Sequence, residues 1–216
     1  MKKVLRFFVF LITLSSSLLY SQDMAVALKL GTLGGGAEVM RSFGPNFNAR
    51  VGVSFFSFNF SGGGGSSDDY SFDAKLGLFT ISALADYFPF QRGLRLTAGL
   101  VVNLNKIETD MKPTKSYTVG GDVYSPELLG TMSADISFNK VAPYIGIGFG
   151  NPTAGSKGLG FTFDIGTVFQ GAPKAKLSAT GLIEPSASPE QQEKLESNLS
   201  WFKFYPVVSL GLTYKF

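Results

Sequence analysis

The sequence predicts an all-β fold, an eight-stranded antiparallel up-and-down transmembrane β-barrel with one short helix in the last outer loop. Three observations predict it. The last eleven residues alternate without a break, placing Pro206, Val208, Leu210, Leu212, Tyr214 and Phe216 on one face of an extended chain and Val207, Ser209, Gly211, Thr213 and Lys215 on the other. The amino-terminus has the form of an export signal. Between the two, apolar residues come in short alternating segments joined by connections of alternately short and long length. A sheet in hydrocarbon has no water to satisfy a free edge, so such strands must close into a barrel.

Lys2, Lys3 and Arg6 form a positive n-region, Phe7 to Leu14 an apolar core, and Ser15 to Ser21 a small-residue exit, so residues 1–21 are expected to be a signal peptide cut before Gln22. The apolar core is shorter than the roughly 20 residues a spanning helix needs. No Cys follows it, which excludes lipoprotein processing. Three of the 19 basic residues leave with the signal, so 16 basic residues meet 16 acidic ones and the basic pI belongs to the precursor. Net charge therefore gives no support to nucleic acid as a partner. The barrel is expected over 22–216, long enough for eight strands of about 9–11 residues and too short for a sixteen-stranded porin.

The first strand is expected over 25–33, with Val26, Leu28 and Leu30 opposing Ala27, Lys29 and Gly31; a Gly34–Gly36 reversal leads to the second over 37–43. Gly44, Pro45 and Asn46 turn the chain into a third over 47–60, in which Val51, Val53 and Phe55 oppose Arg50, Gly52 and Ser54. Its aromatic phase then flips to Phe56, Phe58 and Phe60, as at a bulge or where a strand leaves the membrane. After a Gly-rich loop over 62–69, the fourth strand covers 70–88, with a phase change expected near Leu78 and Phe79. A turn through Gln91 to Gly93 leads to the fifth over 94–105, a long polar loop to 131, the sixth over 132–150, the seventh over 158–170 and the eighth over 202–216. The connections 44–46, 91–93 and 151–157 are short, so they are assigned to the periplasmic side, and the long ones face outward. In the last of these, Ser188, Pro189, Glu190 and Gln191 read as a capped helix start, with Leu195, Leu199 and Phe202 on one side; it would cover the barrel top or rim it against lipopolysaccharide headgroups.

The signal peptide, the even set of Gly-rich strands and the terminal Tyr214-Lys215-Phe216 resemble the small eight-stranded outer-membrane barrels of the outer-membrane protein A and protein W type. The stretches Asn139 to Gly148 (NKVAPYIGIG) and Phe202 to Gly211 (FKFYPVVSLG) have counterparts in many of them. The resemblance implies that the barrel-assembly machinery recognises the last strand through Leu210, Leu212, Tyr214 and Phe216, with periplasmic chaperones acting during biogenesis. No peptidoglycan-binding domain follows the last strand, so no cell-wall tether is expected. The resemblance further implies a monomer in the outer membrane of a Gram-negative bacterium, in contact with lipid and lipopolysaccharide.

On this register Lys29, Glu38, Arg50, Lys75, Asp86, Arg95, Asp164 and Lys203 point into the lumen as a mixed-sign charge network. Such charges persist in a narrow interior only when paired, so a polar core of salt bridges is expected and a proton or ion path is the sharper alternative. The chain has no His, which removes the general base of Ser-His and Asp-His hydrolysis; no catalytic residue, cofactor or metal site is expected, and the protein is read as not an enzyme. Ser67-Asp68-Asp69 reads as a solvated loop, and the Gly tracts as turns, since neither precedes the Lys-Ser/Thr or the helix of a phosphate cradle. The functional expectation is a structural or surface-interaction protein with a side-chain-filled lumen. A narrow channel or lateral gate for small apolar solutes is the alternative, and a soluble periplasmic lipocalin-like binding barrel the second.

Overall fold

The computed structural model describes residues 24–65, 68–90, 93–119 and 122–216. The expected signal peptide over 1–21 lies outside them, as do Gln91 and Arg92 of the short turn and Ser67 of the Gly-rich loop. In chain order the strands are β1 (Met24–Gly31), β2 (Gly34–Ser42), β3 (Phe47–Gly63), β4 (Tyr70–Tyr87), β5 (Leu94–Asn103), β6 (Lys106–Pro113), β7 (Tyr117–Val119), β8 (Asp122–Tyr124), β9 (Met132–Ser137), β10 (Val141–Phe149), β11 (Gly158–Phe169), β12 (Lys174–Ala179) and β13 (Phe204–Lys215). The helices are α1 (Pro126–Leu129) and α2 (Pro189–Asn198).

Eight strands close a ring in the order β1, β2, β3, β4, β5, β10, β11, β13, and β13 returns to pair with β1. Every neighbouring pair is antiparallel. Closure leaves no open edge in the ring, and the amide of Phe216 bonds the carbonyl of Met24 at 3.2 Å, tying the chain end to the first strand. Outward positions carry an exposed apolar belt that includes Leu28, Leu30, Val51, Leu100, Ile147, Phe161 and Leu210. A belt of this extent exceeds the apolar patches of water-soluble surfaces and has the polarity of a membrane barrel's outer face.

Beyond the ring β3 and β4 run on and are joined by β6, β9 and β12, so the same sheet extends as an open second sheet in the order β3, β4, β6, β9, β12, while β7 and β8 pair apart from it. β4 is the fork: Thr80–Tyr87 pairs with β5, while Tyr70–Gly77 pairs with β6. Two segments expected as loops, 106–131 and 171–201, thus contain β6 and β12. The expected sixth strand is two, because at 138–140 the chain exchanges one set of partners for another. The expected eighth begins later, after a 3-10 turn over Ser200–Lys203.

The aromatic flip in β3 is not a bulge. β3 and β4 pair without interruption from Phe47↔Tyr87 to Gly63↔Ser71, so one residue parity faces inward along the whole hairpin, and β4 has no phase change at Leu78. Polarity inverts instead. Below the crossing the inward face holds Asn48, Arg50, Gly52 and Ser54, and the outward face Val51, Val53 and Phe55; above it the inward face holds Phe56, Phe58 and Phe60, and the outward face Ser57, Asn59 and Ser61. The same inversion separates β5 from β6, where Ile107 and Met111 face in and Lys106 and Glu108 face out. A strand that leaves hydrocarbon for water has no further use for an apolar outer face, and its inner face now packs in an open sheet.

α2 closes the free edge of β12. Gln192 Oε1 accepts from Leu177 N at 3.3 Å and Glu196 Oε1 from Ala175 N at 2.9 Å, satisfying edge amides that a sheet would otherwise present. Ser188 caps the helix, its hydroxyl accepting from Gln191 N at 3.4 Å, and Pro189 occupies the first turn, where no amide is needed.

On the outer face of the second sheet, Lys106 Nζ donates to Glu108 Oε1 at 2.6 Å and lies 3.3 Å from Asp135 Oδ1. The hydrogen bond from Lys106 holds the Glu108 carboxyl below its ordinary range, and the bonds to Glu108 and then Asp135 raise the Lys106 ammonium. Glu108 therefore contributes stability above its unfolded pKa, which disappears as pH falls through the lowered folded value. Amide exchange in β6 and β9, corrected for intrinsic rates, is expected to speed up on acidification through that window while the ring is unchanged; an unaltered β6 contradicts this. Leu210→Arg, at the centre of the outward belt, is expected to destabilise folding into phospholipid vesicles by about 2–4 kcal/mol in urea titrations. A neutral effect would mean that Leu210 does not face lipid.

Candidate functional site

Six ionic side chains converge inside the ring, each from a different strand. Lys29 Nζ lies 3.2 Å from Glu38 Oε1, and Glu38 Oε2 lies 3.2 Å from Arg50 Nη1. Arg50 Nε meets Asp86 Oδ2 at 2.9 Å, and Asp86 Oδ1 faces Arg95 Nε at 3.6 Å. Arg95 Nη2 donates to Asp164 Oδ1 at 2.7 Å, and Asp164 Oδ2 returns to Lys29 Nζ at 2.9 Å. The six form a closed circuit of alternating sign, crossed by a 3.5 Å contact between Arg50 Nη2 and Asp164 Oδ1. Three cations face three anions, so the cluster is neutral.

The remaining two ring strands contribute space. β10 places Gly148 opposite both Arg95 and Asp164; a Cβ there would lie 2.7 Å from Asp164 Oδ1 and 2.8 Å from Arg95 Nε. β13 places Gly211 opposite Lys29 and Thr162, and a Cβ there would meet the Thr162 hydroxyl at 2.4 Å. The small residues are what allow long ionic side chains to cross a narrow bore.

Burial is nearly complete: Arg50, Asp86, Arg95 and Asp164 are all 2% exposed or less. Neutral groups complete part of the shell. Thr97 Oγ1 donates to Asp86 Oδ1 at 2.6 Å and accepts from Arg50 Nη2 at 3.4 Å, while Arg95 Nη1 donates to the Gly150 carbonyl. Arg50 Nε and Asp86 Oδ2 face each other as an ion pair without hydrogen-bond alignment. Every carboxylate here is matched by cations, which leaves no anionic vacancy for a metal.

Above the circuit, toward the long-connection end, Leu84, Val101, Ala142, Tyr144, Val168 and Val207 form an apolar plug on which Leu33 and Tyr205 pack. The Tyr144 ring lies across Gly146 and Gly166. A cavity of about 40 Å³ remains between plug and circuit, room for a few waters at most. Higher still, Asn103 Nδ2 donates to Gln170 Oε1 at 3.2 Å and Gln170 Nε2 to the Phe202 carbonyl at 3.0 Å. At the opposite end Met40, Ala25 and Ala27 form a second small apolar cluster.

Of the eight residues expected in the lumen, the structure brings Lys29, Glu38, Arg50, Asp86, Arg95 and Asp164 together and leaves two out. Lys75 is a correction. It sits on the outer face of the second sheet with a side chain 56% exposed, 3.9 Å from Glu108, because the unbroken β3–β4 register keeps its parity outward. Lys203 is the other. It lies in the exposed 3-10 turn before β13, its Nζ 5.4 Å from the centre of the Phe204 ring, so the alternation of β13 does not reach it. Missed from sequence were Thr97, Tyr144 and the apolar plug, although Leu84 and Val101 share the phase of Asp86 and Arg95. Leu210, Leu212 and Tyr214 face outward on β13, and Phe216 packs edge-on against Tyr214 at 5.4 Å.

No family model matches the sequence, and no curated protein does. Among solved structures, the chain is similar to the crystal structure of CarO2 from Acinetobacter baumannii, with a TM-score of 0.60 and 18% identity over 90% of this chain and 98% of that one. It is also similar to CarO of the same organism, with a TM-score of 0.58 and 19% identity over the same shares. The fold is that of an outer-membrane β-barrel. At this identity the likeness establishes architecture alone, and the role must come from the chain's own residues.

Replacing Arg50 with Met leaves Glu38 with Lys29 alone and Asp86 with Arg95 alone, so the buried circuit carries one uncompensated negative charge, and Arg50→Met is expected to destabilise the barrel by about 3–5 kcal/mol in urea titrations. Lys75→Met, on an exposed pair, is expected to change stability by about 0–1 kcal/mol. Equal effects of the two would contradict the distinction between the lumen circuit and the outer face.

Proposed function

We propose that this chain is an integral outer-membrane protein of a Gram-negative bacterium with a structural or surface-interaction role, a side-chain-filled lumen and no enzymatic activity. The observation that carries the reading is the closed circuit of six ions spanning the bore, backed by the apolar plug. A conducting pore needs a continuous polar path, and both layers oppose one. The short turns and both strand ends, β1 and β13, lie at the periplasmic end; the second sheet and α2 then stand outside the cell, at the level of lipopolysaccharide headgroups. The outward alternation of Leu210, Leu212 and Tyr214 ending on Phe216 suits recognition by the barrel-assembly machinery after delivery by periplasmic chaperones.

Of the alternatives, a lipocalin-like soluble barrel requires an apolar interior and a polar exterior, the reverse of the polarity in the ring. A channel through the bore would have to disrupt the ionic circuit and the apolar plug. In planar lipid bilayers the purified protein is expected to give no stepwise conductance at low applied voltage. Sustained unitary steps in the unmodified protein would overturn the closed-lumen reading.

A further inference from the structure

The inward face of the second sheet, apolar by the inversion described above, is covered on one side only. α2 stands over the β12 side and forms with it an open cleft of about 530 Å³, within the range of roughly 300–1,000 Å³ that small-molecule sites occupy. Its floor is Met111, Met132, Ala134 and Leu177, and Leu195 of α2 faces them. Two methionines give such a floor the adaptability to accept ligands of different outline. On the uncovered side the same face continues as an aromatic ladder, with Phe58 and Phe60 stacked at 6.1 Å and Phe60 edge-on to Phe72 at 6.1 Å.

The rim decides the chemistry of the occupant. Thr109, Ser186, Gln191 and Asn198 are polar and uncharged, and the one charged residue at the cleft, Lys194, is held 3.0 Å from Glu190. Glu196, on the same helix, is occupied by the Ala175 amide. An ionic ligand would find no buried counter-charge among the described residues of the cleft, since Lys194 is exposed to solvent and already shares its charge with Glu190. An uncharged molecule with an apolar body and a hydrogen-bonding end loses nothing there.

We propose that this cleft is a surface binding site for an uncharged amphiphile, captured along the aromatic ladder and held under α2. The ionic circuit and plug below make it a site of capture, not an entrance. The proposal rests on the outer-membrane reading for its exposure to the cell exterior, but conductance and binding are independent measurements, so either can fail alone.

The test uses the full mature chain in phosphatidylcholine nanodiscs and 1-N-phenylnaphthylamine, an uncharged fluorophore excited by tryptophan emission. Trp201, the only Trp in the chain, follows α2 directly and reports occupancy of its neighbourhood. Saturable tryptophan-sensitised emission is expected, displaced by decan-1-ol and at least about ten-fold less effectively by decanoate, whose charge would be buried unpaired. Met132→Arg should weaken probe binding by about ten-fold or more. Leu195→Arg, on the helix and away from the ring strands, should do the same and covers the case in which Met132→Arg does not fold. Emission that rises without saturation, that decanoate displaces as well as decanol, or that Leu195→Arg leaves unchanged would overturn the proposal.

Discussion

An eight-stranded ring has an interior wide enough for side chains and little else, and any charge placed there must be neutralised by another charge in the same layer. That constraint organises this protein. Six strands each send one ionic residue to the circuit, signs alternate around it, and the two strands that send none carry Gly148 and Gly211 where a side chain would collide. Each ion has at least two neighbours of opposite sign, and Arg50 and Asp164 have three, so the loss of any one leaves two or three others short. The proposed closure of the bore and its stability then have the same cause.

The second organising feature is a change of solvent along single strands. β3 and β4 keep one register for their full length, yet the residues suited to each face exchange at Phe55 and Phe56. Below that level the apolar side faces outward and the polar side faces the lumen. Above it, water takes the polar side, where Lys75, Lys106, Glu108 and Asp135 pair across strands, and the inner side becomes the apolar floor on which α2 rests. One sheet thus serves as a membrane wall and, farther out, as half of a two-layer structure.

Much of this was legible from period-two alternation. Lys29, Glu38, Arg50, Asp86, Arg95 and Asp164 lie opposite the apolar phase of clean strands, and parity alone places them in the lumen. Lys75 was misplaced because an inversion of polarity looks, in one strand, like an inversion of phase; only the cross-strand register tells them apart. Lys203 was misplaced because alternation was carried back past the point where Ser200–Lys203 turns into a 3-10 helix. The lysines of β6 and β12 with Glu108 and Asp110 suggest solvated loops, whereas Ile107, Met111 and Leu177 on alternate positions mark amphipathic strands. The pairing of Arg95 with Asp164, far apart in sequence, depends on ring closure and has no local signal.

The proposed closed lumen requires that bulk water be kept from the ionic circuit. Arginine side-chain exchange, followed by ¹⁵N NMR of the protein in nanodiscs, tests it most directly, with the exposed Arg41 as an internal reference. The account predicts that the Nε–H protons of Arg50 and Arg95 exchange far more slowly than that of Arg41. Exchange of Arg50 and Arg95 as fast as Arg41 would mean that water reaches the circuit freely, and would contradict it.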